Sequence, residues 1–162
     1  MSERRFAAAV TVLAGAGMVV FTFLPWLRFL PPSTSPGLAQ VVESGWGLRD
    51  SGVDLSVWTI VLGGVLVVSG LALFFGVMEQ PFAGISAAAA VIALAGVCFF
   101  LSNPRIAFDP APDFPYPHAF EMAAWGLWCI FGFALLGVIA TLTAVVASRR
   151  VDLPTAAEHA SV

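Results

Sequence analysis

Leu55-Ser56-Val57-Trp58-Thr59-Ile60-Val61-Leu62-Gly63-Gly64-Val65-Leu66-Val67-Val68-Ser69-Gly70-Leu71-Ala72-Leu73-Phe74-Phe75-Gly76-Val77 runs without one charged side chain. A helix needs roughly 20 apolar residues to cross the hydrocarbon of a bilayer, and this stretch has enough. Working outward from it, three further segments meet the same test: Phe6–Leu24, Phe82–Leu101 and Ala119–Ala147. No Asp, Glu, Lys, Arg or His lies deep within any of them, and Glu121 stands at the opening of the last. A helix satisfies its own backbone groups, which is what lets such sequences enter lipid. The fold class expected is an all-α membrane protein, an antiparallel bundle of four transmembrane helices.

Composition agrees. Of 162 residues 59% are hydrophobic and 10% charged, and the mean hydropathy is +0.94. Ordinary soluble chains are about a quarter charged, so these segments could not be held in water. A net charge of −3 and the lack of a basic patch give no electrostatic footprint for nucleic acid. Cys98 and Cys129 both fall in apolar runs and read as small buried hydrophobes. A structural bridge would sit more naturally in a loop on an oxidising side.

The arginines set the expected direction. Arg4 and Arg5 precede the first span, and Arg149 and Arg150 follow the fourth. An even number of crossings puts both pairs on one side, which the positive-inside rule makes the cytoplasm. Arg4-Arg5 could also open a signal peptide. The apolar run that follows is long, however, and ends at Leu24-Pro25-Trp26-Leu27 without a small-x-small cleavage site. An uncleaved anchor is the expectation. Residues 1–5 then form a cytoplasmic N-terminus, 6–147 the membrane domain, and 148–162 a disordered cytoplasmic tail. The protein is expected in the plasma membrane as a multi-pass chain with both ends inside.

The tryptophans support this geometry. Trp26 closes the first span, Trp58 opens the second, and Trp125 and Trp128 lie early in the fourth. Amphipathic rings favour the headgroup level, so these four are expected as an outer interface belt. The two outer loops, 25–54 and 102–118, are rich in proline, which suits extended and turn conformations. Each begins with a proline followed closely by arginine and phenylalanine, Pro25-Trp26-Leu27-Arg28-Phe29 and Pro104-Arg105-Ile106-Ala107-Phe108. Duplication of one hairpin would give this pattern; arginines snorkelling from helix ends would give it too. The glycine-rich end of the first loop, 43–52, is expected to fold back over the mouth of the bundle. Asp54 stands where a helix N-cap would. On the other side, the short turn Met78-Glu79-Gln80-Pro81 makes spans two and three neighbours.

Ligand-type residues gather only at Asp109, Asp113, His118 and Glu121. Imidazole with carboxylates is chemistry for zinc or manganese; solvated loop acids beside a helix-capping glutamate are the plainer account. No HExxH or paired-cysteine spacing supports a metal, and no serine stands in a Gly-x-Ser-x-Gly setting. Catalytic residues and cofactors are therefore not expected. Proton relays and ion coupling need ionisable groups facing a cavity in the membrane, and the spans offer none. The scattered hydroxyls of Thr11, Thr22, Thr59, Ser69, Ser86, Thr141 and Thr143 are expected to bond to carbonyls one turn back or across helices.

The spans are instead rich in small residues: Ala14-Gly15-Ala16-Gly17, Gly63-Gly64, Gly70, and Ala83-Gly84 with Ser86 and Ala87–Ala90. Small residues let backbones approach closely, and such packing is what joins helices in lipid. The third span is small on more than one face. Much of this packing is expected to hold the four helices to one another, and Ala83, Ser86, Ala87 and Ala90 are expected as a helix-packing face, for the bundle itself or for a partner's helix.

With Leu24-Pro25-Trp26 ending its first span, Ser44-Gly45-Trp46 in its outer loop and Asp54-Leu55 entering its second, the chain resembles small four-helix integral membrane proteins of actinobacteria. The likeness covers residues 1–60. The absence of lysine and the abundance of Ala, Gly and Val fit a GC-rich genome of that kind. Many of those proteins have no assigned role, and the resemblance implies a plasma-membrane protein, in some cases an accessory subunit of a larger envelope complex. The expected partners are other integral membrane subunits and membrane lipids.

Overall fold

The computed structural model describes residues 3–29, 41–47, 54–102 and 123–159. It has four helices, each long and apolar enough to cross a membrane: α1 Glu3–Thr22, α2 Leu55–Phe75, α3 Glu79–Ser102 and α4 Trp125–His159. At 1.5 Å per residue the 21 residues of α2 span about 30 Å, the thickness of a bilayer's hydrocarbon. Between α1 and α2 lies a short antiparallel sheet of β1 Pro25–Phe29 and β2 Val41–Ser44, an addition to the helical architecture expected. Helix α1 packs against α2 and α4, and α3 against the same two, so the four form a closed ring.

The core is stacked in three layers. Beneath the sheet, Trp26, Leu27, Val97, Phe100, Leu101, Leu127 and Ile130 pack together. The middle layer holds Met18, Leu66, Ala89, Ala90, Ala93 and Ala134. The layer farthest from the sheet is Ala7, Ala8, Leu73, Ala83 and Ala144. The large aromatic side chains of the core gather in the layer under the sheet, and the other two layers are mostly alanine. At the α1–α2 crossing Gly15 and Gly63 meet backbone to backbone. A Cβ on Gly63 would stand 2.8 Å from the Gly15 carbonyl oxygen, too close for any other residue. Close packing of this kind is the cohesive force between helices in lipid.

Several boundaries differ from the sequence expectation, each for a local reason. Helix α2 ends two residues early because Gly76, at φ 74°, takes the left-handed conformation. Its N–H donates to the Leu73 carbonyl and that of Val77 to Ala72, a Schellman closure. Helix α3 starts at Glu79, so Pro81 falls in its first turn, where a missing N–H costs nothing. Asp54 does precede α2, but its side chain makes no cap hydrogen bond. Its backbone carbonyl accepts from Val57 and Trp58 instead. Helix α4 starts at Trp125 rather than 119, since Ala123 pairs with Leu27 of β1 and the Ala124 N–H donates to the Trp26 carbonyl at 2.7 Å. It then continues to His159, where disorder was expected from 148. The Ala, Leu and Glu residues there favour helix, and Pro154 removes one ladder bond without ending it.

Candidate functional site

The four residues singled out for metal chemistry, Asp109, Asp113, His118 and Glu121, lie outside the described residues. Among the described residues no three His, Cys, Asp or Glu side chains come together. The features that could engage another molecule are the sheet-capped end of the bundle and the exposed faces of its helices.

At the capped end the chain leaves α1, turns at Pro25 and enters β1. The register pairs Pro25 with Ser44 but Leu27 with Glu43, so Trp26 is the extra residue of a β-bulge. Regular alternation would send Trp26 and Leu27 to opposite faces. The bulge re-aims one of them, and both are fully buried. The indole N–H of Trp26 donates at 3.0 Å to the Phe21 carbonyl in the last turn of α1, which also accepts from the Leu24 N–H. The far strand closes over it: Gly45 N–H donates to the Leu24 carbonyl and Trp46 N–H to that of Thr22. Glycine is required at two contacts here. A Cβ on Gly45 would enter the Trp26 ring, and one on Gly126 would meet the Pro25 carbonyl.

Trp26 is thus no member of an interface belt; it is the plug of the bundle's capped end. The other three expected belt residues behave differently. Trp58, Trp125 and Trp128 are 59%, 47% and 42% exposed, on the first turns of α2 and α4. Beside Trp58's helix, exposed Phe23 stacks with Trp46, ring centres 5.7 Å apart.

The hydroxyls of Thr11, Thr22, Thr59, Ser86, Thr141 and Thr143 bond as expected. Thr11 donates to Ala7, Thr22 to Met18, Thr141 to Gly137 and Thr143 to Ile139, all to carbonyl oxygens at 2.8–2.9 Å. Thr22 and Thr59 also join α1 to α2, Oγ1 to Oγ1 at 3.1 Å. Close by in sequence, the buried Ser56 Oγ has no hydrogen-bond partner among the described residues. Both cysteines are free, and Cys98 is exposed rather than buried. In a bilayer an outward thiol meets lipid, so its polarity sets no demand for burial.

The small packing face expected on α3 is largely used within the chain. Ala83, Ser86 and Ala90 are buried in the bundle, and Ala87 is half-buried. The outward face one step round carries Gly84, Ala88, Val91 and Ala95, all exposed. A Cβ added at Gly84 would touch nothing. The sequence signal for this second face was present, since α3 is small on more than one side, but only packing could say which side the bundle would take.

A groove on the α1/α4 seam had no sequence signal. Its floor is made by Ala7 and Ala140, its walls by Phe6, Val10, Leu136 and Ile139, and its volume is about 190 Å³. Thr143 also lines a separate hollow of about 320 Å³, together with Glu3, Leu142, Val146 and Ala147. At the same end of α1, Arg4 forms an ion pair with Glu79, Nη1 to Oε1 at 2.7 Å. Compared with protein-family models, with characterised proteins and with solved structures, the chain finds no match.

Proposed function

We propose that the chain is a non-catalytic accessory or stabilising subunit of a larger plasma-membrane assembly, its helices antiparallel and both termini in the cytoplasm. Contacts of Gly70 with Ala8, of Gly63 with Gly15 and of Thr59 with Thr22 support the antiparallel order of α1 and α2. The arginines flanking the bundle support the cytoplasmic placement of its ends. The observation that carries the subunit role is the uncovered small face of α3, Gly84, Ala88, Val91 and Ala95. A helix of the host would lie against it, where small side chains let two backbones come close. The exposed aromatic pair of Phe23 and Trp46 supplies a further contact at the capped end. Lipid-transport and respiratory assemblies are the hosts we favour, in keeping with the resemblance to small actinobacterial membrane proteins.

The test is solubilisation from native membranes in a mild detergent, affinity capture of the chain and mass spectrometry of what accompanies it. A stoichiometric membrane partner that is lost on Ala88→Leu is expected; recovery of the chain alone would defeat the proposal. The second reading is a self-contained, oligomeric protein that binds lipid or carries a small solute. The groove between α1 and α4 favours it, and flux in proteoliposomes of the purified chain would distinguish it.

A further inference from the structure

We propose that the turn between α2 and α3, residues 76–78, ends inside the bilayer, seated in the hydrocarbon–glycerol boundary of the leaflet on the Arg4 side. The occupant of its exposed apolar surface is lipid. Its composition is not that of a chain reversal in water. Gly, Asn, Asp, Ser and Pro dominate such reversals, whereas Phe75, Val77 and Met78 here are 74%, 51% and 70% exposed. Met78 holds φ 43°, a left-handed backbone that glycine or asparagine adopts at lower cost. A large apolar side chain kept outward at that cost needs an apolar medium around it.

Length decides which medium. Trp58, Val61, Val68, Leu71 and Phe75 are all exposed and share one outward side of α2, so the membrane-facing surface of that helix leads into the turn. Trp58, at the capped end, favours the headgroup level. The rise from Trp58 to Phe75 is about 25 Å at 1.5 Å per residue, and the hydrocarbon is about 30 Å thick. Phe75 therefore stops about 5 Å short of the far edge, and any tilt brings it further in. The backbone suits this depth, where an unpaired polar group is costly. The N–H groups of Gly76 and Val77 donate to the Leu73 and Ala72 carbonyls, and the Met78 carbonyl accepts from Phe82. The first charged side chain beyond the turn, Glu79, is paired with Arg4. Headgroups of that leaflet then bend in over the turn, a local thinning of the bilayer. This anchor rests on the helices crossing a membrane and not on the subunit role.

The experiment uses the full chain in vesicles of phosphatidylethanolamine and phosphatidylglycerol, with Cys98→Ala and Cys129→Ala to clear the native thiols. Single nitroxide labels on Val68→Cys, Phe75→Cys and Met78→Cys are read by paramagnetic resonance. Collisions are measured with oxygen, which concentrates in hydrocarbon, and with a nickel chelate, which stays in water. The labels at positions 75 and 78 are expected to collide with oxygen and to lose nearly all collisions with the chelate, as at position 68 in mid-span. Frequent chelate collisions at position 78 would place the turn in water and overturn the proposal. Collisions with neither reagent would mean that protein covers the turn, which overturns it equally. Met78→Asn gives a second measure without a label. In a water-facing turn it would raise the melting temperature by relieving the backbone; here it should lower it, because a polar amide enters lipid. A melting temperature unchanged or raised in nanodiscs overturns the proposal.

Discussion

The indole of Trp26 occupies the space where a side chain on Gly45 would begin. Two segments 19 positions apart in number (45 − 26) are therefore one packing unit, joined by the β1–β2 pairing on which both stand. Replacing Trp26 by alanine removes the largest fully buried side chain and should cost about 3–5 kcal/mol, the range for large aromatic truncations in cores. Gly45→Val should be destabilising as well, since the ring must leave its place. Thermal unfolding in detergent micelles, followed by circular dichroism, checks both. A Trp26→Ala protein that melts with the parent would show that the ring is not a plug.

Adjacent glycines in α2 should respond in opposite ways. A Cβ on Gly63 would press on the Gly15 carbonyl, whereas one on Gly64 meets nothing. Gly63→Ala should lower stability. Gly64→Ala should raise it by up to about 1 kcal/mol through helix propensity alone. The comparison is made on melting temperatures in one detergent.

Ser56 carries a buried hydroxyl with no partner among the described residues. Removing an unsatisfied polar group relieves a desolvation cost of about 1–3 kcal/mol, so Ser56→Ala should stabilise the fold. Thr22→Val, which breaks the hydroxyl contact to Thr59, should instead destabilise by about 0.6 kcal/mol, the average for such interhelical bonds in membranes. Denaturation in mixed micelles measures the two differences.

Arg4 and Glu79 tie the start of α1 to the start of α3. Both are partly exposed, so a double-mutant cycle with Arg4→Gln and Glu79→Gln should return a coupling of about 0.2–1 kcal/mol that shrinks as salt is added. A coupling unaffected by salt would point to something other than an ion pair.

The number and placement of the helices were legible in the residues because lipid imposes one simple rule, a long uncharged run that must bond to itself. The starts and ends were less legible. Gly76 stops α2 through its left-handed backbone, which composition suggests; the pairing of Ala123 with Leu27, which delays α4, is a contact across the chain that no local pattern announces. The hydroxyls of Thr11, Thr22 and Thr141 were foreseeable, since a helix always offers a carbonyl one turn back.

Trp26 shows the limit most clearly. As a residue type beside Pro25 at a helix end it resembles Trp58, yet one is buried and the other lies on the surface. A single bulge in β1 makes that difference. The small residues of α3 tell the same story: their abundance was plain, but whether Ala83 or Gly84 would face inward depended on the rotation of the helix against α2 and α4. Sequence alone determined that this chain is built of helices suited to hydrocarbon, because transfer from water depends on side-chain polarity summed along a segment. Which faces the bundle keeps for itself, and which it leaves for lipid or another protein, was decided by packing, because that choice depends on the joint fit of surfaces from four separate segments.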